Sequence, residues 1–121
     1  MEQVLALRAF VPAADYGQSK AFYQAMGFRL TQDGDHVALL KLGSFGFILQ
    51  NRADPHLAEN LMMHLLVRDV AAWWRDAETE ALAARFGTKP PRAPAMQEWG
   101  LVVGFVFDPS GVLWHIAEAP F

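Results

Sequence analysis

The feature that most constrains this chain is an internal repeat. An apolar segment, an aspartate, a helix-patterned stretch with aromatics and a closing glycine occur twice, and Asp69 stands 54 residues after Asp15. In the first half, residues 4–11 read as a strand with Arg8 embedded in it, ended by Pro12, which cannot donate to a ladder. Asp15 is placed to cap a helix over 17–26, whose Phe22, Tyr23 and Met26 share one face, and Gly27 ends it. In the second half the same order runs through a strand over 61–67, Asp69, a helix over 70–86 with Val70, Trp73, Trp74 and Ala77 inward, and Gly87. A repeat that covers nearly the whole chain implies duplication with pseudo-twofold symmetry.

Strand and turn signals complete each half. Residues 28–31, 36–42 and 45–50 pattern as strands, separated by Asp33-Gly34-Asp35 and Gly43-Ser44, so the first half reads β-α-β-β-β. In the second half, strands over 101–107 and 112–117 flank Asp108-Pro109-Ser110-Gly111, a strong turn. The three prolines within 89–94 argue against regular structure there, and the polar stretch 51–60 reads as a linker. Neither half is large enough for a good core by itself. The expectation is one α+β domain over 1–121, with module one at about 1–52 and module two at about 60–121. Two four-stranded sheets, each covered on one face by a helix, leave two uncovered faces. These can curl into a cup-shaped, mostly antiparallel sheet with helices on the outside.

Composition narrows the function classes. The formal net charge is −3, which offers no basic field for nucleic acid or an acidic membrane surface. The absence of cysteine excludes disulfides, thiolate chemistry and Cys-ligated zinc. No apolar run approaches the ~20 residues that span a bilayer. Met1-Glu2-Gln3-Val4 shows no basic leader pattern, so a cytoplasmic location is the expectation. Nine Phe and four Trp in a chain that is 53% apolar suit a rich core, a lined cavity or a subunit interface, and a homodimer of cyclic symmetry is expected.

No Ser–His–Asp spacing, phosphate loop or dinucleotide fingerprint is present; Gly43-Ser44-Phe45-Gly46 joins two strands and lacks the lysine and following helix. The residues that stand out are few. Arg8 on an apolar strand needs a partner: an anionic ligand such as a carboxylate or phosphate, an internal ion pair, or exposure at the strand end. His64 and His115 titrate near neutral pH and are the candidates for acid–base work. Trp99, after the proline-rich stretch, is placed to form an aromatic wall over the cup. Trp114 alternates with His115 and so faces the helix, as does Glu118; His36 and His56, near turns, are surface residues.

Three segments carry a family resemblance. They are Val11-Pro12-Ala13-Ala14-Asp15 leading into Ala21-Phe22-Tyr23 and Met26-Gly27-Phe28; Val67-Arg68-Asp69-Val70; and Asp108-Pro109-Ser110-Gly111-Val112-Leu113-Trp114. In this order and spacing the chain resembles the vicinal oxygen chelate superfamily of glyoxalases, bleomycin-resistance proteins and extradiol dioxygenases. The resemblance implies four cup-facing positions that hold metal in the enzymes of that family. Carried over one at a time, they are Arg8, Gln50, Met62 and His115. Arginine is a permanent cation and a thioether is a soft donor, so this set departs from the metalloenzyme pattern. His64, two residues after Met62, points to the same sheet face, and a register shift would gather His64, His115 and Gln50 into a metal set.

The expectation is therefore a small-molecule-binding protein of the bleomycin-resistance type. It needs no metal cofactor and holds an anionic or aromatic organic ligand through Arg8, Gln50, Met62, His64, Trp99 and His115. The alternative is a metal-dependent lyase, isomerase or dioxygenase that uses His64, His115 and Gln50 on a divalent ion. A third reading is a partner-binding module with a filled cup.

Overall fold

The computed structural model describes residues 2–121. The chain runs β1 (Phe10–Ala13), α1 (Tyr16–Met26), β2 (Arg29–Asp33), β3 (Val37–Leu42) and β4 (Phe45–Asn51). A short α2 (Pro55–Asn60) leads to β5 (Met62–Val67), α3 (Val70–Asp76), α4 (Thr79–Phe86), β6 (Arg92–Met96), β7 (Val102–Phe107) and β8 (Leu113–Glu118). The strands form two four-stranded sheets with the same permuted order, β1-β4-β3-β2 and β5-β8-β7-β6. Each has one parallel pair, β1 with β4 and β5 with β8, and the other pairs are antiparallel. This is the tandem α+β architecture read from the repeat.

Local chemistry explains the helix ends. The carboxylate of Asp15 accepts from the amide of Gln18 and that of Asp69 from Ala72, which satisfies one orphan donor at each matching helix start. Gly27 and Gly87 adopt positive φ (116° and 64°), the left-handed geometry that closes a helix without a Cβ clash.

The sheets alternate. Phe47 and Leu49 of β4 and Trp114 and Ile116 of β8 are buried, whereas Ile48, Gln50 and His115 point to the opposite faces. The α1 face of Phe22, Tyr23 and Met26 fills the space between. The Tyr23 ring lies 4.8 Å from Phe47 and 5.6 Å from Trp114, and Phe47 lies 5.5 Å from Trp114. One hydrophobic cluster thus joins the covered faces of both sheets. Each sheet leaves its other face open, turned away from the shared core.

Five local expectations need correction. The strand placed over 4–11 begins only at Phe10 and runs through Pro12. The carbonyls of Ala9 and Ala13 both accept from the β4 side, so the backbone of Pro12, in odd–even alternation, points to the free edge where a missing N–H costs nothing. The linker at 51–60 contains α2, started by Asp54 and with Pro55 at a position that suits proline. The helix over 70–86 is two helices, broken where Glu78 adopts φ 50°. No glycine or proline marks this break. It is fixed by tertiary contacts: the Glu80 carboxylate accepts from Trp74 Nε1 at 3.2 Å, and Thr79 and Leu82 are buried. Of the four residues expected inward, Val70 and Trp74 are buried and Trp73 packs against the core while partly exposed, whereas Ala77 caps α3 and is partly exposed. Finally, the proline-rich stretch supplies β6, because Pro94 falls on an edge strand between Arg92 and Ala95, where the register shifts.

Candidate functional site

The open face of the second sheet gathers the imidazoles. His64 and His115 are register partners on the parallel strands β5 and β8, and Phe105 of β7 lies opposite His115 on its other side. The His64 and His115 rings are 6.2 Å apart, and the Phe105 ring meets His115 edge-on at 4.9 Å. Trp99 sits in the turn between β6 and β7, where the Gln97 amide donates to Leu101 O and Gly100 takes φ 93°. That turn brings the Trp99 ring to 6.2 Å from His115. Met62 precedes His64 on the same face and is 66% exposed. Burial first, and then the neighbouring His64, hold the His115 imidazole below its ordinary value, which favours the neutral ring. The result is a shallow surface of two imidazoles, two aromatic rings and a thioether.

Arg8 and Gln50 lie elsewhere, on the open face of the first sheet. Gln50 is the register partner of Val37, and Arg8, two residues before Phe10, bounds a cavity of about 120 Å³ with Gln32, Val37, Ala38, Leu39 and Ile48. The structure therefore pairs His64 with His115 and adds Trp99 and Met62. It does not bring Gln50 or Arg8 to them within the chain, because the two sets belong to different sheets whose covered faces meet in the core. Trp114 is in the core and Glu118 accepts from the Val70 amide, as their alternation with His115 requires. His36 and His56 are exposed. Phe105 escaped the reading of the sequence, although its odd-numbered alternation with Val103 and Phe107 would have placed it beside His115 once the β7–β8 pairing was known.

The donor set argues against a resident divalent ion. The four carried-over positions offer a guanidinium, an amide, a thioether and one imidazole, divided between two sheets. Among the described residues no group of three or more His, Cys, Asp or Glu converges. Two imidazoles without a carboxylate leave a hard metal under-ligated, so the residues do not fit the metal of the family's enzymes and no chemical step is derived through one.

Comparison with known proteins places this geometry. The chain is 26% identical over 111 residues to a bleomycin resistance protein of Klebsiella pneumoniae, with 89% of this chain and 87% of that protein covered. The fold matches the crystal structure of a bleomycin-binding protein complexed with bleomycin at a TM-score of 0.78 and 24% identity, covering 94% of this chain and 98% of that one. It also matches the bleomycin-binding protein of Streptomyces verticillus complexed with copper(II)-bleomycin at a TM-score of 0.77 and 19% identity, with 96% and 98% covered. The model of one family matches residues 5–116, nearly the whole chain, and the protein belongs to that family, the Glyoxalase/Bleomycin resistance protein/Dioxygenase superfamily.

Proposed function

We propose that this protein binds a small organic molecule without transforming it, as its bleomycin-binding relatives hold bleomycin. The observation that carries this reading is the open face of the second sheet. Two aromatic rings and two imidazoles line it, with His115 held toward its neutral form, and among the described residues no carboxylate joins the two histidines to complete a metal centre or an acid–base pair. Such a surface suits stacking and a few hydrogen bonds to a planar, heteroatom-bearing ligand. Met62, His64, Trp99 and His115 are the proposed contacts, joined by Phe105. Arg8 and Gln50 belong to a second surface on the other sheet.

A homodimer forms part of the proposal. Leu5 and Leu7 are 95% and 96% exposed, and Phe45 is 77% exposed, more apolar surface than a monomer usually leaves in water. Light scattering at micromolar concentration is expected to give twice the chain mass. A clean monomer would remove this part and leave the ligand reading standing.

Binding is tested by titrating metal-free and copper(II)-loaded bleomycin while following tryptophan fluorescence, with intact ligand measured by mass spectrometry afterwards. The expectation is saturable binding, weakened about tenfold or more in a Phe105→Ala, His115→Ala double variant, with the ligand recovered unchanged. A ligand that is converted with turnover would instead make the protein an enzyme. Binding that is indifferent to both substitutions would move the site off this face.

A further inference from the structure

The other open face has a different chemistry, and it is carried by Arg8. Its cavity of about 120 Å³ is far larger than the ~10–15 Å³ that admits one water. The wall is apolar at Val37, Ala38, Leu39 and Ile48, with Gln32 and Arg8 as its polar members. Arg8 is partly buried, yet among the described residues it donates no hydrogen bond and lies within 4 Å of no carboxylate; the ion pairs are Lys20–Asp33, Arg52–Asp54 and Arg75–Asp76. With no protein acceptor bound to it, the planar fork of Arg8 is free to meet a pair of ligand oxygens.

The rest of the face points the same way. Arg29 of β2 and Lys41 of β3 are direct cross-strand partners, a like-charge pair that repels unless an anion lies near. By register both stand on the face that carries Gln32, Leu39, Ile48 and Gln50. The acids of the adjoining chain do not neutralise it. Asp33 points to the covered side and is held by Lys20 at 2.8 Å, and Asp35 lies in the exposed turn between β2 and β3. On a chain of net charge −3, the strand positions that the register puts on this face carry cations and amides and no Asp or Glu.

We infer that the open face of the first sheet is an oxyanion site, in which Arg8 grips a carboxylate or phosphonate group of a small organic molecule whose apolar body rests on Val37, Leu39 and Ile48. Gln32 and Gln50 supply amide donors at the rim, and Arg29 with Lys41 raises the local concentration of anions. The inference takes from the proposed function only that the ligand is a small molecule. It concerns a different sheet and different residues.

The test uses the full chain, labelled with nitrogen-15, and four probes that share one ring: benzoate, phenylphosphonate, benzamide and benzamidine. The two anions are expected to shift the backbone amides of Leu39 and Ile48 and the Arg8 Nε signal in a saturable way, while the neutral and cationic probes leave them in place. Arg8→Gln is expected to weaken anion binding at least about tenfold, and Arg8→Lys, which keeps the charge and loses the fork, to weaken it less. Spectra of both variants that overlay the parent outside this face show that they fold. A response to phenylphosphonate alone assigns the site to phosphorus oxyanions, and a response to both assigns it to oxyanions in general. Equal binding of benzamidine, unchanged binding in Arg8→Gln, or shifts confined to His64 and His115 would each overturn the inference. If anions bind here while bleomycin fails to bind the second sheet, the proposed function falls and this site stands.

Discussion

The Tyr23 hydroxyl donates a 2.6 Å hydrogen bond to Asp108 Oδ2, which fastens the helix of the first module to the last turn of the second. The same hydroxyl accepts from Trp114 Nε1 at 2.9 Å. The other Asp108 oxygen accepts from the amides of Ser110 and Val112, at 2.8 and 2.9 Å. Burial pushes the Asp108 carboxyl up, against hydrogen bonds from Tyr23, Val112 and Ser110 that pull it down, and burial holds the Tyr23 phenol well above its ordinary value, so it remains a donor. Trp114 precedes His115, and this network thereby fixes the strand that presents the candidate site.

Removing the shared hydroxyl should be costly out of proportion to its size. Tyr23→Phe leaves Asp108 Oδ2 and Trp114 Nε1 without their partner in a buried setting, and a loss of about 1–3 kcal/mol is expected by urea denaturation. Combined with Asp108→Asn, the two losses should fall short of adding, with a coupling above about 0.5 kcal/mol. Strict additivity would mean the bond is incidental.

Gly104 is constrained by contact, not by backbone angle. A Cβ there would lie 2.4 Å from Cζ3 of the Trp74 ring and 2.9 Å from its Cε3, closer than carbon atoms approach. Trp74 is itself held by its bond to Glu80 and cannot yield freely. Gly104→Ala should therefore destabilise by about 1–3 kcal/mol, and a Trp74→Phe background should recover part of that loss. An unchanged melting temperature in the single variant would show that the ring has room to move.

The repeat was legible because capping aspartates, helix-face aromatics and closing glycines are local signals, and Asp15, Phe22, Tyr23, Gly27 and Asp69 all sit where such signals place them. Face assignment was legible too: simple alternation put His64 on the face of Met62 and sent Trp114 and Glu118 to the side opposite His115, while the pairing of His64 with His115 needed the β5–β8 register. What failed depends on tertiary partners. Pro12 and Pro94 read as terminators, yet edge strands tolerate them, and edge position is a property of sheet order. The break at Glu78 has no local marker, since it is held by Trp74 and buried Thr79. That Arg8 and Gln50 stand on the first sheet and the histidines on the second likewise depends on how the two sheets pack, which no local signal carries. In the chain it is the covered faces that meet, through Phe47 and Trp114.

The strain at that break is testable. Glu78 is the sole residue with positive φ other than glycine among the described residues, and its side chain makes no capping bond to α4. A left-handed conformation costs an L-residue roughly 1–2 kcal/mol, whereas glycine pays about 0.5–1 kcal/mol in chain entropy. Glu78→Gly should be neutral to stabilising, by up to about 1 kcal/mol, in thermal and urea melts. Clear destabilisation would show that the Glu78 side chain makes a contribution this conformation does not reveal.

The depressed imidazole gives the final expectation. His115 in the folded chain titrates below its ordinary value of 6.5, through burial and the proximity of His64. As pH falls, the unfolded chain takes up its proton first, so stability is lost from about pH 6.5 downward and the loss is complete below the folded value; above pH 6.5 the group contributes nothing. His115→Gln should therefore flatten the decline in stability between pH 7.5 and 5 while leaving stability at pH 8 nearly unaffected by this term. His64→Ala should raise the His115 titration midpoint followed by NMR, but only part of the way, because burial remains the larger cause. A His115 midpoint at or above 6.5 in the parent protein would remove both expectations, and with them the neutral imidazole that the proposed ligand face presents.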